Sequence, residues 1–285
     1  HTRLRTVTGV QTCALPIYQL TTMTKLLLAL FGVLSPAVTL GEDKPAALKA
    51  DLANAHYGPH DLQVFDFWKA KSERPTPLLV HIHGGGFYSG NKGVPDEVVS
   101  EHLQNGISFM TINYRLAEVK YPDHYMDCAR AIQFARANAK EWNIDPKRIA
   151  ATGSSAGGAT CLWIAFHDDL ADPNNADLVL RQSTRLRCVV VHSASCSLDP
   201  RVCKEWVGEI VLKHRFFNGK FWGLDPKEFD TPRAQKLFDQ SSPITHLTKD
   251  DPPVWCAYGE PKVPLDITSA AHHKIQGVKL KRSEE

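Results

Sequence analysis

Residues 148–166 read RIAATGSSAGGATCLWIAF, and the fold turns on them. Arg148–Thr152 is a short apolar run of strand type, and Ala159–Phe166 is a run of small and apolar residues of helix type. Between them stands Gly153-Ser154-Ser155-Ala156-Gly157-Gly158, a G-x-S-x-G at a strand-to-helix turn. The pattern has a steric reason. A side chain presented above a sheet needs a sharp turn, and a Cβ at either flanking glycine would strike the neighbouring strand or helix. Ser155 is thereby offered as a nucleophile, with the first N–H groups of the helix aimed at whatever it attacks. A glycine-rich turn of this kind can also cradle a phosphate. The last glycine is followed by Ala159 and not lysine, which disfavours a nucleoside-triphosphate loop.

Upstream, the apolar run Leu78–Ile82 ends in His83-Gly84-Gly85-Gly86. Glycines leave backbone amides bare, so Gly84 and Gly85, together with Ala156, are candidate donors to a developing oxyanion. Two such motifs, in this order and each at a strand's end, predict an α/β-hydrolase fold. The rest of the chain fits it. Asp61–Trp68 alternates as a half-exposed strand does, and Ile107–Tyr114, Cys188–His192 and Pro253–Tyr258 read as further strands. Tyr125–Trp142 has helical spacing, with Pro122-Asp123 as a start signal, and Asn143–Lys147 reads as a turn. Strands alternating with helices imply a mostly parallel central sheet flanked by helices. The aromatic, helix-prone segment 198–249 is long enough for a small helical cap; extra helices on the sheet edge are the alternative.

His83–Gly86 followed by Phe87, then Asn113-Tyr114-Arg115, Tyr121-Pro122, Asp145–Ile149 and Gly153–Gly158, resemble the hormone-sensitive-lipase-type carboxylesterases. Acetyl-xylan and feruloyl esterases share most of the series. The resemblance is close from Leu62 to Gly158 and loose from Cys188 to Pro264. It implies a serine carboxylic-ester hydrolase working through an acyl-enzyme on Ser155, with Gly84, Gly85 and Ala156 as the oxyanion hole. His83 would organise its loop. Many of these enzymes have Asp where Ser154 stands. The family's acid is expected near Val263-Pro264, which makes Glu260 the candidate and Asp266 its rival. His272 and His273 arrive too soon after it, because a helix and a last strand normally intervene. The general base is therefore expected beyond residue 281, together with the final strand, and the chain as written is expected to be inactive. No metal or organic cofactor is implied. His81 and His83 could face one way on their strand, but no third ligand is suggested. The expected substrate is a small acyl ester or a plant-polysaccharide ester. A serine peptidase or lactonase on the same scaffold is one alternative, and a non-catalytic binding protein that kept the pocket is another.

The bulk numbers agree. The 285 residues suit one such domain; 43% are hydrophobic and 22% charged, an ordinary globular balance. A net charge of +2 without a basic, aromatic-interleaved cluster argues against nucleic acid as partner. Residues 1–22 do not read as native: Val7–Ile17 resembles a translated sequencing adapter, and 282–285 resembles the facing one. Residues 23–41, with Lys25, the apolar run Leu26–Leu34 and small residues after it, read as a signal peptide. The hydrolase domain is then 42–281, secreted or periplasmic, and off the membrane once the signal is cleaved. In an oxidising compartment Cys196 and Cys203 could bridge; buried free thiols are the alternative.

Overall fold

Alternating burial along Thr76–Ile82 (β3) shows why this run became a central strand: Leu78, Val80 and Ile82 are inaccessible to solvent while the residues between them are partly covered. In a computed structural model of the chain, which describes residues 48–284, β3 lies between β4 (Ser108–Ile112) and β5 (Ile144–Ser154), parallel to both. β6 (Val189–His192) and β7 (Val254–Ala257) extend the parallel part. β2 (Val64–Trp68) and β1 (Leu52–His56) add antiparallel strands on the far side of β4. The order β1-β2-β4-β3-β5-β6-β7 is the mostly parallel sheet expected. The leader 1–22 and the signal segment 23–41 lie outside the described residues.

Helices α1 (Asp96–Gln104), α2 (Asp123–Ala137), α3 (Ala139–Trp142) and α4 (Ala156–Phe166) follow the strands as crossovers. The register sets Ile82 beside both Ile112 and Gly153, so β3 and β5 end level. α4 is buried along its whole length, beginning one residue after β5 and Ser155.

Several boundaries differ from the sequence reading. The helix expected over 125–142 breaks at Asn138, whose side-chain amide donates to the Phe134 carbonyl at 2.8 Å and competes with the helical ladder. The turn expected over 143–147 is an excursion within β5: Thr76 pairs with Ile144, and Leu78 already with Ile149. β1 was not anticipated, because LANAH has no apolar alternation and lies mostly exposed at the sheet edge.

The segment 198–249 folds as α5 (Pro200–Val207), α6 (Pro232–Ser241) and short 3-10 turns between and after them. Its rings Phe216, Phe217, Phe221, Trp222 and Phe238 are buried in the main core, where Phe221 packs against Phe87 at 4.6 Å between centroids. After β7 come α7 (Ile267–Ala271) and α8 (Ile275–Glu284), the latter running through residues 282–284. Cys196 and Cys203 are free, buried thiols and are not bridged. The Cys196 thiol donates to the Gln276 carbonyl and the Cys203 thiol to the Ser197 carbonyl.

Candidate active site

Ser155 occupies the turn between β5 and α4 with φ 51° and ψ −121°, a left-handed conformation that residues with a Cβ seldom adopt. The neighbouring glycines explain how the chain accepts it. A Cβ on Gly157 would lie 2.1 Å from the Ile82 carbonyl oxygen, and one on Gly153 would lie 2.6 Å from the same atom. Only bare backbone lets α4 start that close to β3. A Cβ on Gly84 would stand 2.9 Å from the Ser154 carbonyl and 3.4 Å from the Ser155 Cβ. The His83–Gly86 loop and the serine turn are thus in contact, as the two motifs predicted.

His83 arranges that loop. Its ring stacks on Tyr114 at 4.4 Å, and its Nδ1 lies 2.7 Å from the Gly84 carbonyl oxygen. Burial depresses its pKa, and the bond to Gly84 acts in the opposite sense. His81, half-buried with its ring stacked on Phe109 and 3.3 Å from the Thr111 hydroxyl, is pushed down to about 4 by desolvation and then by His83. Among the described residues no group of three or more His, Cys, Asp or Glu could hold a metal.

A cleft of about 460 Å³, open solvent at its mouth included, meets Ser155. Of the expected donors Gly84, Gly85 and Ala156, Ala156 lines the cleft itself beside the serine, and Gly86 joins it there. Ala156 opens α4, where the first amides have no partner inside the helix. Phe87, Val211, Phe216 and Phe217 form apolar walls, so segment 198–249 supplies part of the cleft.

The histidine is where the sequence reading departs furthest from the structure. His272, set aside as too early, has its Nε2 2.8 Å from the Ser155 Oγ. The expectation of a partner beyond residue 281 is corrected on that geometry. The physical reason lies in α7. Asp266 caps this five-residue helix by accepting from the Ser269 amide at 2.7 Å, and His272 follows the last helical residue, turned back over the serine. The signal was present as Asp266-x-x-Ser269 with Ile267 and Ala270, a helix start too short to stand out. Burial lowers the His272 pKa, while a hydrogen bond to the Thr268 backbone raises it. His214, unremarked in the sequence, also lines the cleft, its ring centroid 6.4 Å from that of His272. Its pKa is lowered by burial, then by His272 and Arg215.

Neither expected acid touches the imidazole. Glu260 is exposed and binds Lys274 at 2.6 Å. Asp266 is bound to the Ser269 amide and to Lys262 at 2.9 Å, and these contacts hold its carboxyl at about 2. Both carboxylates fasten the segment that carries His272, one by capping its helix and one by tying Lys274 back.

Known proteins share this architecture. Esterase LipC of Mycobacterium tuberculosis is 26% identical over 219 residues, which make up 75% of this chain and 52% of LipC. The chain thus spans about half the length of that relative. A truncated carbohydrate esterase from gut microbiota superposes with a TM-score of 0.62 at 20% identity, covering 81% of this chain and 82% of that one. An acetyl ester-xyloside bifunctional hydrolase from Caldicellulosiruptor lactoaceticus gives 0.58 at 25% identity, covering 76% and 74%. The sequence profile described as BD-FAE matches residues 65–275, from β2 to the start of α8 and across every residue of the serine site, and the chain accordingly belongs to the BD-FAE family.

Proposed function

We propose that the chain is a serine carboxylic-ester hydrolase whose acyl-enzyme forms on Ser155. The observation that carries the reading is the 2.8 Å approach of the His272 Nε2 to a serine hydroxyl held at a left-handed turn. With the imidazole neutral and its proton on Nδ1, Nε2 accepts the Ser155 proton as Oγ attacks the ester carbonyl. The oxyanion is received by the amide of Ala156 and by those of the glycine loop, Gly85 and Gly86. Collapse expels the alcohol, which takes its proton from His272. Water, deprotonated by His272, then attacks the acyl carbon and releases the acid and Ser155. Backbone carbonyls orient catalytic imidazoles as carboxylates do, and the Thr268 backbone is the group available for it. The sequence-based expectation of inactivity rested on a missing histidine, and His272 removes that ground.

Small acyl groups on a carbohydrate alcohol suit the apolar walls around the serine, and relatives described as carbohydrate and acetyl-ester hydrolases support that choice. The signal-like segment 23–41 supports action in a secreted or periplasmic setting. Hydrolysis of p-nitrophenyl acetate tests the reading. Ser155→Ala is expected to abolish turnover, and His272→Ala to lower kcat by about 10²–10⁴-fold. Equal turnover by wild type and Ser155→Ala would refute it. One observation favours a second reading, a binding protein: both candidate acids are engaged by lysines and not by His272. That reading predicts an ester that binds the wild type and is not cleaved.

A further inference from the structure

The oxyanion loop is held from two sides. On the near side, His83 takes the Gly84 carbonyl. On the far side, Arg215, which belongs to segment 198–249 and lies 130 positions along the chain, donates from Nη2 to the Gly85 carbonyl at 2.8 Å. The same nitrogen donates to the Ser89 hydroxyl at 2.8 Å, and the guanidinium lies over the Tyr88 ring at 5.3 Å. Gly85 and Gly86 have φ of 115° and 63°, conformations that other residues seldom take. Within the loop the Gly85 carbonyl also accepts from the Tyr88 amide at 3.1 Å and the Ser89 hydroxyl at 3.4 Å, and Arg215 adds a shorter, charged donor from outside it. In a planar trans peptide the carbonyl and the following N–H point in opposite directions. A donor that fixes the Gly85 carbonyl therefore fixes the Gly86 N–H on the other side of the plane, and Gly86 is the glycine that lines the cleft beside Ser155 and Ala156.

We propose that Arg215 is a positioning residue that sets the direction of the Gly86 amide, so that segment 198–249 controls oxyanion stabilisation as well as walling the cleft. The inference rests on the reading of Ser155 as an acylated nucleophile. Arg215 touches neither the serine nor the histidine. It acts through one peptide plane, and its effect belongs in the tetrahedral state, where negative charge first reaches that amide.

The test compares Arg215→Ala, Arg215→Lys and Asn218→Ala in the full chain with p-nitrophenyl acetate. Asn218 accepts from the Tyr88 hydroxyl at 2.9 Å, so its loss removes a contact between the same two segments without touching the Gly85 carbonyl. Arg215→Ala is expected to lower kcat by about 10- to 100-fold with KM within about threefold, as misdirection of one donor does. A boronic acid that adds to Ser155 should lose affinity in step. Arg215→Lys, which keeps a charged donor, should fall between Arg215→Ala and wild type. Asn218→Ala should stay within about twofold of wild type, since exposed single contacts contribute little. An unchanged kcat in Arg215→Ala, or an equal fall in Asn218→Ala, would overturn the inference and leave the esterase reading standing. Turnover surviving in Ser155→Ala would overturn both. If Arg215→Ala fails to fold, the position of Arg215→Lys against Asn218→Ala decides.

Discussion

Ser155 holds a backbone conformation that costs a residue with a Cβ about 1–3 kcal/mol, and the surrounding contacts keep it there. Ser155→Gly should therefore be more stable than Ser155→Ala by about 1 kcal/mol in urea denaturation, with both variants inactive. Equal stabilities would show that the turn carries no strain. His272 yields a prediction in pH. Burial, the larger influence, holds its pKa below the ordinary 6.5, so the neutral imidazole persists into mildly acid solution. The acid limb of kcat/KM should have its midpoint below that value, and a midpoint above it would mean that another group takes the serine proton. Ser155 was legible in the sequence because its signal is local: two glycines and a serine between a strand and a helix. His272 was not, because its position depends on the path from Ala257 to Ala271, where a five-residue helix substitutes for the longer route that the resemblance implied.

Among the elements, the junction of β3, β5 and α4 decides whether a site exists. Gly157→Ala forces a Cβ to within 2.1 Å of the Ile82 carbonyl, a backbone atom that cannot rotate away. The expected cost is about 1–3 kcal/mol of stability or more, with loss of activity as the helix start moves off β3. Gly259→Ala is the control, since nothing lies within 4 Å of a Cβ there and its effect should stay within about 0.5 kcal/mol. Buried strands were legible because runs such as Leu78–Ile82 and Cys188–His192 have few other uses. The polar edge strand β1 was not, since its backbone pairing with β2 decides its conformation and its side chains stay largely in water. The Asn138 break escaped for a related reason: helical spacing of apolar residues continues across it while one side-chain amide interrupts the backbone ladder.

Across the whole molecule, histidines partly or wholly withdrawn from water link stability to pH. His81 and His124 are both lowered to about 4, chiefly by burial, against about 6.5 in the unfolded chain. Between these values the unfolded state binds more protons, so stability is full above about pH 6.5 and is lost as pH falls toward 4. Each histidine can remove at most about 2 kcal/mol by pH 5. Urea midpoints at pH 7.5 and pH 5 check this, and a midpoint that rises on acidification would reverse the sign. At this scale the sheet, the site end and the long segment beside it were legible. What Arg215 and the walls around Ser155 do was not, since the relevant partners are 130 positions apart. The proposed mechanism converges on one hydroxyl activated by one imidazole, and covalent capture reads that directly. After incubation with a p-nitrophenyl alkylphosphonate, intact-protein mass should rise by a single phosphonyl group mapped to Ser155, with none on Ser155→Ala and much slower labelling of His272→Ala. Labelling of Ser155→Ala at the wild-type rate, or a wild type that takes up no phosphonyl group, would contradict the account.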